Sequence, residues 1–155
     1  MNAPAIGDPI PDVKLLDADG AAIDLAAMKG ALLVVYFYPK ADTPGCTTEA
    51  QDFTRLAPEF AHLGAQVLAV SRDAPAKLCK FRDKYGLTVR LASDEDGAVC
   101  EAFGTWVEKQ NYGRTYMGIE RSTFLFGRDG KLAKEWRKVR VKGHADAVLE
   151  AAKAL

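Results

Sequence analysis

A run of eight apolar and aromatic residues, Ala-Leu-Leu-Val-Val-Tyr-Phe-Tyr at positions 31–38, limits the folds open to this chain more than any other feature. The run is rich in β-branched and aromatic side chains and shows little alternation of apolar with polar residues, which predicts a strand buried on both faces. Strands of this kind occur in sheets that carry helices on both sides. The run therefore predicts the central strand of an α/β protein.

Helices and strands alternate after this run. An apolar stripe at spacings of three and four predicts a helix that ends at Gly64: Phe53, Leu56, Phe60 and Leu63. Pro58 predicts either a kink in this helix or the start of a second helical piece. The next predicted elements are a strand at 66–71, a helix at 75–85 that starts with Pro75 and ends before Gly86, and a short helix at 96–103.

The two ends of the chain complete the predicted sheet. Strands at 13–16 and 22–25 flank the turn Asp17-Ala18-Asp19-Gly20, and we expect this hairpin to cover an edge of the sheet. Residues 122–126 and 131–136 flank a second turn and predict an antiparallel pair, which a last helix at 144–154 follows. A parallel βαβ half followed by a hairpin and a helix is the thioredoxin-like arrangement. We therefore expect one domain over residues 1–155, with a central mixed sheet flanked by helices and an N-terminal β-hairpin extension.

Composition excludes several function classes. The 21 basic and 21 acidic residues cancel, and neither sign forms a long run, which argues against a nucleic-acid or membrane partner. The first residues lack the pattern of a secretory signal, so we expect a cytoplasmic protein. Three cysteines without Cys-x-x-Cys spacing, and only two histidines, argue against a disulfide scaffold and a zinc site. The thiols are then either reactive or core residues.

Cys46 stands where the predicted central strand gives way to a helix, directly after Pro44 and Gly45. In open sheets with parallel strands, ligands bind outside the carboxyl ends of those strands. The position also lies in the first turn of the helix, where free N–H groups and the positive end of the helix dipole favour a thiolate over a thiol. Read without other information, a free cysteine at a helix start is as often a small packed residue.

The helix terminus supplies only part of the stabilisation that a thiolate needs, so a cation is expected beside it. Arg121 precedes a strand that starts at the same sheet edge, and its guanidinium offers several donors in a fixed fork. Glu49 could orient that fork, and the Thr43 hydroxyl could bond a second ligand atom beside the sulfur, while Pro39 adds bulk without a donor. Such a site suits attack on an oxygen whose leaving oxygen becomes negative, as in peroxide reduction.

These residues resemble a known family. Phe37-Tyr38-Pro39 followed by Thr43-Pro44-Gly45-Cys46-Thr47-Thr48-Glu49 is similar to the peroxiredoxin signature as the bacterioferritin comigratory protein (Q) subfamily carries it. Further similarities lie along most of the chain: Gly7-Asp8, Ser93-Asp94-Glu95-Asp96, Phe103-Gly104, and Arg121 before Phe124-Leu125-Phe126.

The resemblance implies a thioredoxin-fold thiol peroxidase that reduces hydrogen peroxide and organic hydroperoxides. Cys46 would be the peroxidatic nucleophile, surrounded by Pro39, Thr43 and Arg121. The resemblance further implies recycling by thioredoxin, no metal or organic cofactor, and a monomer more often than a dimer.

The sequence specifies less clearly whether a second, resolving cysteine forms a disulfide with Cys46 after its oxidation. Many members carry a resolving cysteine five residues after the first, where this chain has Gln51. Others place it on the helix predicted at 75–85, on which Cys79 points away from the apolar stripe but lies about one turn nearer the helix start. Two cycles stay open: a disulfide between Cys46 and Cys79, or a one-cysteine cycle completed by an external thiol. Cys100 shares a face with Phe103 and is expected in the core.

Three other functions that a thioredoxin-like fold or a reactive cysteine can serve have requirements of their own. A thiol–disulfide oxidoreductase needs a second cysteine where Glu49 stands. A cysteine hydrolase needs His62 or His144 as a base beside Cys46, and we expect both histidines on the surface. A non-enzymatic thioredoxin-like interaction module would have an ordinary Cys46 thiol.

The aromatic residues Trp106, Tyr112 and Tyr116 fall in a segment rich in Gly, Asn and Lys, which we interpret as a loop. They would either pack onto the sheet or line the face by which a hydroperoxide approaches.

Overall fold

The computed structural model describes residues 3–155, which form a seven-stranded mixed sheet, a separate two-stranded sheet and five α-helices. The strands are β1 (Lys14–Asp17), β2 (Ala22–Asp24), β3 (Leu33–Phe37), β4 (Gln66–Ser71), β5 (Arg90–Ser93), β6 (Trp106–Asn111), β7 (Arg114–Ile119), β8 (Ser122–Phe126) and β9 (Leu132–Trp136). The helices are α1 (Pro44–Arg55), α2 (Ala57–His62), α3 (Pro75–Tyr85), α4 (Ala98–Ala102) and α5 (His144–Lys153). The order in the large sheet is β2-β1-β5-β4-β3-β8-β9.

Strand β3 is central, as its sequence predicts. All of its residues are buried, and it pairs in parallel with β4 and antiparallel with β8. Tyr36 faces a core formed with helices α1, α3 and α5, whereas Phe37 faces a second core formed with α4. Because side chains alternate along a strand, an uninterrupted apolar run supplies both cores at once. The predicted thioredoxin-like fold is confirmed.

The N-terminal hairpin covers the edge of the sheet that β5 would otherwise expose. Strand β1 pairs antiparallel with β2 and, on its other side, with β5. Strand β5 itself was not predicted, because it is only four residues long and begins with the charged Arg90. The turn at residues 17–20 is closed by the Asp17 carboxylate, which accepts hydrogen bonds from the amides of Asp19 and Ala21.

The predicted helices keep their places with small changes. Pro58 starts a second helical piece, since α1 ends at Arg55 and α2 has this proline in its first turn. Helix α3 has the predicted bounds, and Gly86 follows it with a φ of 60°, a left-handed conformation that suits glycine. Helix α4 is shorter than predicted. Among residues 3–155, no helix has both the length and the apolar character needed to cross a lipid bilayer.

The interpretation of the segment around Trp106 and Tyr116 as a loop is wrong. Residues 106–119 form the hairpin of β6 and β7, with Tyr112 and Gly113 at its turn. Its strands alternate poorly because much of their surface faces solvent, so the period-two signal is weak. Trp106 is half-buried against the core around Phe37, whereas Tyr112 is 99% exposed.

Candidate active site

Cys46 is the third residue of α1 and is buried, with 2% of its surface exposed. Thr43 is the extended residue before the helix, and Pro44 opens it. Pro44 and Gly45 leave the sulfur close to the helix start, where backbone N–H groups lack partners within the helix. The sulfur therefore lies in the positive field of the helix terminus, at the carboxyl edge of β3.

Arg121 reaches the sulfur from the neighbouring strand. Its Nη2 lies 3.3 Å from Cys46 Sγ, and its Nη1 donates to Glu49 Oε1 at 2.6 Å. The pairing of Ser122 with Phe37 places the start of β8 beside the end of β3, which brings the guanidinium to the start of α1. The structure thus brings together Cys46, Arg121 and Glu49, three residues that the sequence predicted to be close.

Glu49 is the most buried charged residue of this group, with 1% of its surface exposed. Burial raises the pKa of Glu49 to about 7, although Arg121 acts in the opposite direction. Burial alone would lower the pKa of Arg121, but Glu49 and Cys46 outweigh it, so the net shift is upward. Burial likewise raises the pKa of the two tyrosines on the same face of β3, Tyr36 and Tyr38, which therefore stay neutral. The arginine is a permanent cation here, whereas the carboxyl group titrates near neutral pH.

Thr43 and Pro39 belong to the segment that leads into α1. The Thr43 hydroxyl donates to the carbonyl oxygen of Lys40 at 2.8 Å, which closes the turn and leaves the oxygen lone pairs free to accept another hydrogen bond. Pro39 is exposed and lines a groove of about 500 Å³ with Trp106, Lys109 and Met117. The groove is therefore part apolar and part charged, and its charged residues are of both signs, since Asp73 and Glu95 line it as well as Lys109. Tyr116 also lines it, whereas Tyr112 lies at the hairpin turn.

Cys79 lies on α3 and is partly exposed. Arg82 Nη2 donates to its sulfur at 3.3 Å, and Asp83 Oδ2 lies 3.8 Å from the same atom. The thiols of Cys46, Cys79 and Cys100 are all free in this structure. Cys100 is fully buried, which confirms the expectation of a core thiol, and burial raises its pKa well above the ordinary range.

The expectation that His144 lies on the surface is wrong. The residue is buried at the start of α5, where its ring meets those of Phe53 and Trp136 edge to face. Its Nε2 lies 2.7 Å from the Thr123 hydroxyl, and burial lowers its pKa to about 4. His62 is exposed on α2. Within residues 3–155 neither histidine has a hydrogen bond to Cys46, so the base that a cysteine hydrolase needs is not in place.

Two carboxylates near the site were missed from the sequence. Asp73 Oδ2 accepts the amide N–H of Ala41 at 2.8 Å, and Asp42 accepts from Tyr85 and Lys84 at 2.5 and 2.9 Å. Asp73 could have been noticed, because it follows the end of β4 and the carboxyl ends of adjacent parallel strands meet at one edge. Asp42 gave no such signal, since its partners come from the far end of α3.

Comparison with known proteins gives a consistent result. The chain matches the AhpC/TSA family over residues 6–135. It is 50% identical over 143 residues to peroxiredoxin Bcp of Xanthomonas campestris, covering 92% of this chain and 89% of that protein. It is 47% identical over 148 residues to peroxiredoxin Bcp of Bacillus subtilis, covering 96% of this chain and 94% of that protein.

A solved structure supports the same relationship. The structure of the Xanthomonas campestris bacterioferritin comigratory protein, studied for its alkyl peroxide reduction activity, matches with a TM-score of 0.89 and 47% identity. The match covers 95% of this chain and 98% of that one. The protein therefore belongs to the AhpC/TSA family and, within it, to the peroxiredoxins of the bacterioferritin comigratory protein (Q) type.

Proposed function

We propose that the protein is a thiol peroxidase in which Cys46 is the nucleophile. The Cys46 thiolate attacks one peroxide oxygen, the O–O bond breaks, and the other oxygen leaves as RO⁻, which takes a proton to become ROH. The sulfur is oxidised to Cys46–SOH and the hydroperoxide is reduced. The observation that carries this proposal is the single guanidinium, of Arg121, that contacts both Cys46 Sγ and the buried Glu49.

The first-turn environment matches what this step requires. A charged donor at 3.3 Å and the helix start both place positive charge beside the sulfur, and the same guanidinium can stabilise negative charge on the leaving oxygen. Thr43, with its lone pairs free, would bond the peroxide itself, and Pro39 would limit the access of water. These two roles are the ones that the family likeness implies for Thr43 and Pro39.

Hydrogen peroxide and alkyl hydroperoxides are the proposed substrates. The groove beside Pro39 supports the second class, because Trp106 and Met117 offer apolar surface to an organic group. The related Xanthomonas campestris protein, studied for alkyl peroxide reduction, supports the same substrate class.

Recycling of the sulfenic acid can follow two routes. In the first, the Cys79 thiolate attacks the sulfur of Cys46–SOH, hydroxide leaves and takes up a proton to become water, and the resulting disulfide is then reduced by thioredoxin. The guanidinium of Arg82, 3.3 Å from the Cys79 sulfur, supports this route because it places a cation beside the attacking group. In the second, an external thiol attacks Cys46–SOH directly. We expect the first route to need local unwinding of the first helical turn, since a disulfide needs Cα atoms within about 7 Å. We further propose a single-domain monomer that acts in the cytoplasm without a metal or organic cofactor, on the strength of the family likeness.

Intact-mass measurement after one equivalent of hydrogen peroxide tests both the nucleophile and the route. Cys46→Ser should abolish peroxide consumption and leave the mass unchanged. In the wild type, loss of two hydrogens indicates the Cys46–Cys79 disulfide, and Cys79→Ser should then gain one oxygen instead. Gain of one oxygen by the wild type indicates the one-cysteine cycle.

Cys100→Ser is the matched control, because this thiol is buried and unpaired with any cation at hydrogen-bond distance among the described residues. It should behave as the wild type. A Cys46→Ser variant that still consumes peroxide at a substantial fraction of the wild-type rate would overturn the proposed function.

A further inference from the structure

The segment between β3 and α1 has no regular secondary structure, yet it carries two of the residues that the proposed function assigns to the peroxide site. Pro39 lies near its start and Thr43 at its end. The amide of Tyr38 donates to Val70 on β4, and the Thr43 hydroxyl donates to Lys40 within the segment. The position of the middle of the segment must therefore come from other contacts.

Ala41 provides the main such contact. It is buried, with 2% of its surface exposed, so its amide N–H cannot be satisfied by bulk water. The partner is Asp73 Oδ2 at 2.8 Å, from the loop between β4 and α3. This is a charge-assisted hydrogen bond across 32 residues of sequence, which makes it both strong and directional.

Asp73 is itself held on several sides. The Ser71 hydroxyl donates to the same Oδ2 at 2.8 Å, and Lys77 Nζ lies 3.2 Å from Oδ1. The Ser93 hydroxyl donates to the Asp73 carbonyl oxygen at 2.6 Å. Only 9% of the Asp73 side chain is exposed. The carboxylate is thus a fixed point on the sheet edge, to which the segment before Cys46 is attached.

The next residue, Asp42, carries a second carboxylate that attaches the segment to the rest of the protein. Asp42 has a φ of 62°, which is uncommon for a residue other than glycine. Its carboxylate accepts from Tyr85 Oη at 2.5 Å and Lys84 Nζ at 2.9 Å. Ala41 is therefore bonded to Asp73, just before α3, and the next residue, Asp42, is bonded to Lys84 and Tyr85 at the end of α3. Tertiary contacts, and not local preference, set the path of the segment.

We propose that Asp73 is a positioning residue for the peroxide reaction: by holding the amide of Ala41 it keeps Pro39 and Thr43 in place in front of Cys46. This inference rests on the proposed function. Displacements of about 1 Å in positioning groups can reduce a rate by as much as 10²-fold. The role depends on where the acceptor atom lies, and the charge of the carboxylate is secondary.

Two substitutions separate position from charge. Asp73→Asn keeps an oxygen at the same distance but removes the charge, so the rate constant for Cys46 oxidation by hydrogen peroxide should stay within about threefold of the wild type. Asp73→Glu keeps the charge but adds one methylene, which moves the acceptor, and the rate constant should fall at least about tenfold. Lys77→Met removes only the ion pair with Asp73 and should change the rate less than about twofold.

The rate of Cys46 alkylation by iodoacetamide at the same pH provides a second readout. Alkylation needs the thiolate but not the contacts of Thr43 and Pro39 with a peroxide. In Asp73→Glu it should therefore change less than about threefold while the peroxide rate falls. Thermal unfolding of each variant checks that the compared proteins are folded.

Three results would overturn the inference. The first is a wild-type peroxide rate in Asp73→Glu. The second is an equal loss in Asp73→Asn and Asp73→Glu, which would assign the effect to charge. The third is an equal loss of peroxide and iodoacetamide reactivity, which would indicate a general effect on the thiol. If wild-type Cys46 itself did not react with peroxide, the proposed function would fail first.

Discussion

The sulfur atoms of Cys46 and Cys79 each contact an arginine side chain, but the surroundings of the two pairs differ. In each case an arginine Nη2 lies 3.3 Å from the sulfur, and a carboxylate holds that arginine. At Cys46 the pair is buried: the side chain of Arg121 is 16% exposed and that of Glu49 is 1% exposed. At Cys79 the arginine is Arg82, 31% exposed, and its partners Asp19 and Asp83 are mostly exposed.

With Cys46 as the proposed nucleophile, the difference indicates that a cation beside a thiol is not by itself what distinguishes the site. Charge interactions are several times stronger in a partly buried site than at the surface, where water and salt screen them. Cys46 also lies in the first turn of a helix, whereas Cys79 lies within α3, away from the helix start. Cys100 shows the opposite limit, because within residues 3–155 no cation lies at hydrogen-bond distance from its buried sulfur, and burial raises its pKa. Burial, a contacting cation and a helix start coincide at Cys46.

The largest expected effect comes from removing each arginine in turn. Arg121→Met should lower the rate constant for reaction with hydrogen peroxide by about 10²–10³-fold, because it removes the donor to the sulfur and to the leaving oxygen. Arg82→Met should change the same rate constant less than about twofold, because that pair is exposed and distant from the peroxide. Stopped-flow measurement of the first turnover provides both values.

Arg121→Lys refines this test. Lysine keeps the charge but cannot bond the sulfur and Glu49 with one planar fork, so an intermediate loss of about tenfold is expected. Equal losses in Arg121→Met and Arg82→Met would contradict the distinction drawn between the two sites.

The next effect concerns the buried carboxyl group that has no counterpart at Cys79. The pKa of Glu49 is about 7 in the folded protein against an ordinary value of 4.5, so the folded state keeps a proton that the unfolded state has lost. The contribution of Glu49 to stability is therefore present below pH 4.5 and is lost as the pH rises through 7. Glu49→Gln keeps an acceptor for Arg121 and removes this titration. From pH 5 to 8 the wild type should lose on the order of 2–3 kcal/mol of unfolding free energy relative to the variant.

His144 must be separated from this effect because it acts with the opposite sign. Its pKa falls from 6.5 to about 4 on folding, so its contribution is present above 6.5 and is lost as the pH falls through 4. Urea unfolding of wild type, Glu49→Gln and the exposed-carboxylate control Asp19→Asn at several pH values isolates the contribution of Glu49, since all three keep His144 and only Glu49→Gln should remove the loss above pH 5. If Glu49→Gln and the wild type kept parallel profiles, Glu49 would not titrate in this range.

The smallest effect tests the turn that precedes Cys46. Thr43→Val removes a hydroxyl at nearly constant volume, and the peroxide rate constant should fall about tenfold, because both the turn and the hydrogen bond to substrate are lost. Thr43→Ser should retain most of the rate. Thr48→Val is the control, since that hydroxyl donates only to the Pro44 carbonyl oxygen at 3.1 Å, and it should change the rate less than about twofold. A loss in Thr48→Val as large as in Thr43→Val would show that any hydroxyl of the first turns has this effect.

Most of the fold could be predicted from the sequence, because its central strand and main helices have clear apolar patterns and clear start or stop residues. The apolar run at 31–38, Pro75 and Gly86 each have one local explanation, and β3 and α3 lie where they predicted. The hairpin at 106–119 was missed because its strands have little buried surface to impose a period on the sequence. His144 was misplaced for the converse reason: a single polar residue gives no sign that Thr123 will satisfy it inside the protein.

The sequence by itself determined that a cysteine follows Pro-Gly at the carboxyl end of a buried strand, that an arginine precedes an antiparallel neighbour, and that the chain resembles a peroxiredoxin. These features are local, because turn chemistry, strand burial and helix starts depend on neighbouring residues. The sequence also suggested that Glu49 could orient Arg121, but only the tertiary structure decided that this carboxyl group is buried and that Asp73 holds the neighbouring segment. Glu49 is buried against Arg121 from 72 residues away, and Asp73 bonds Ala41 from 32 residues away. Hydrogen bonds of this kind depend on distances of a few tenths of an ångström between separate elements, and only the packing of the folded chain sets those distances.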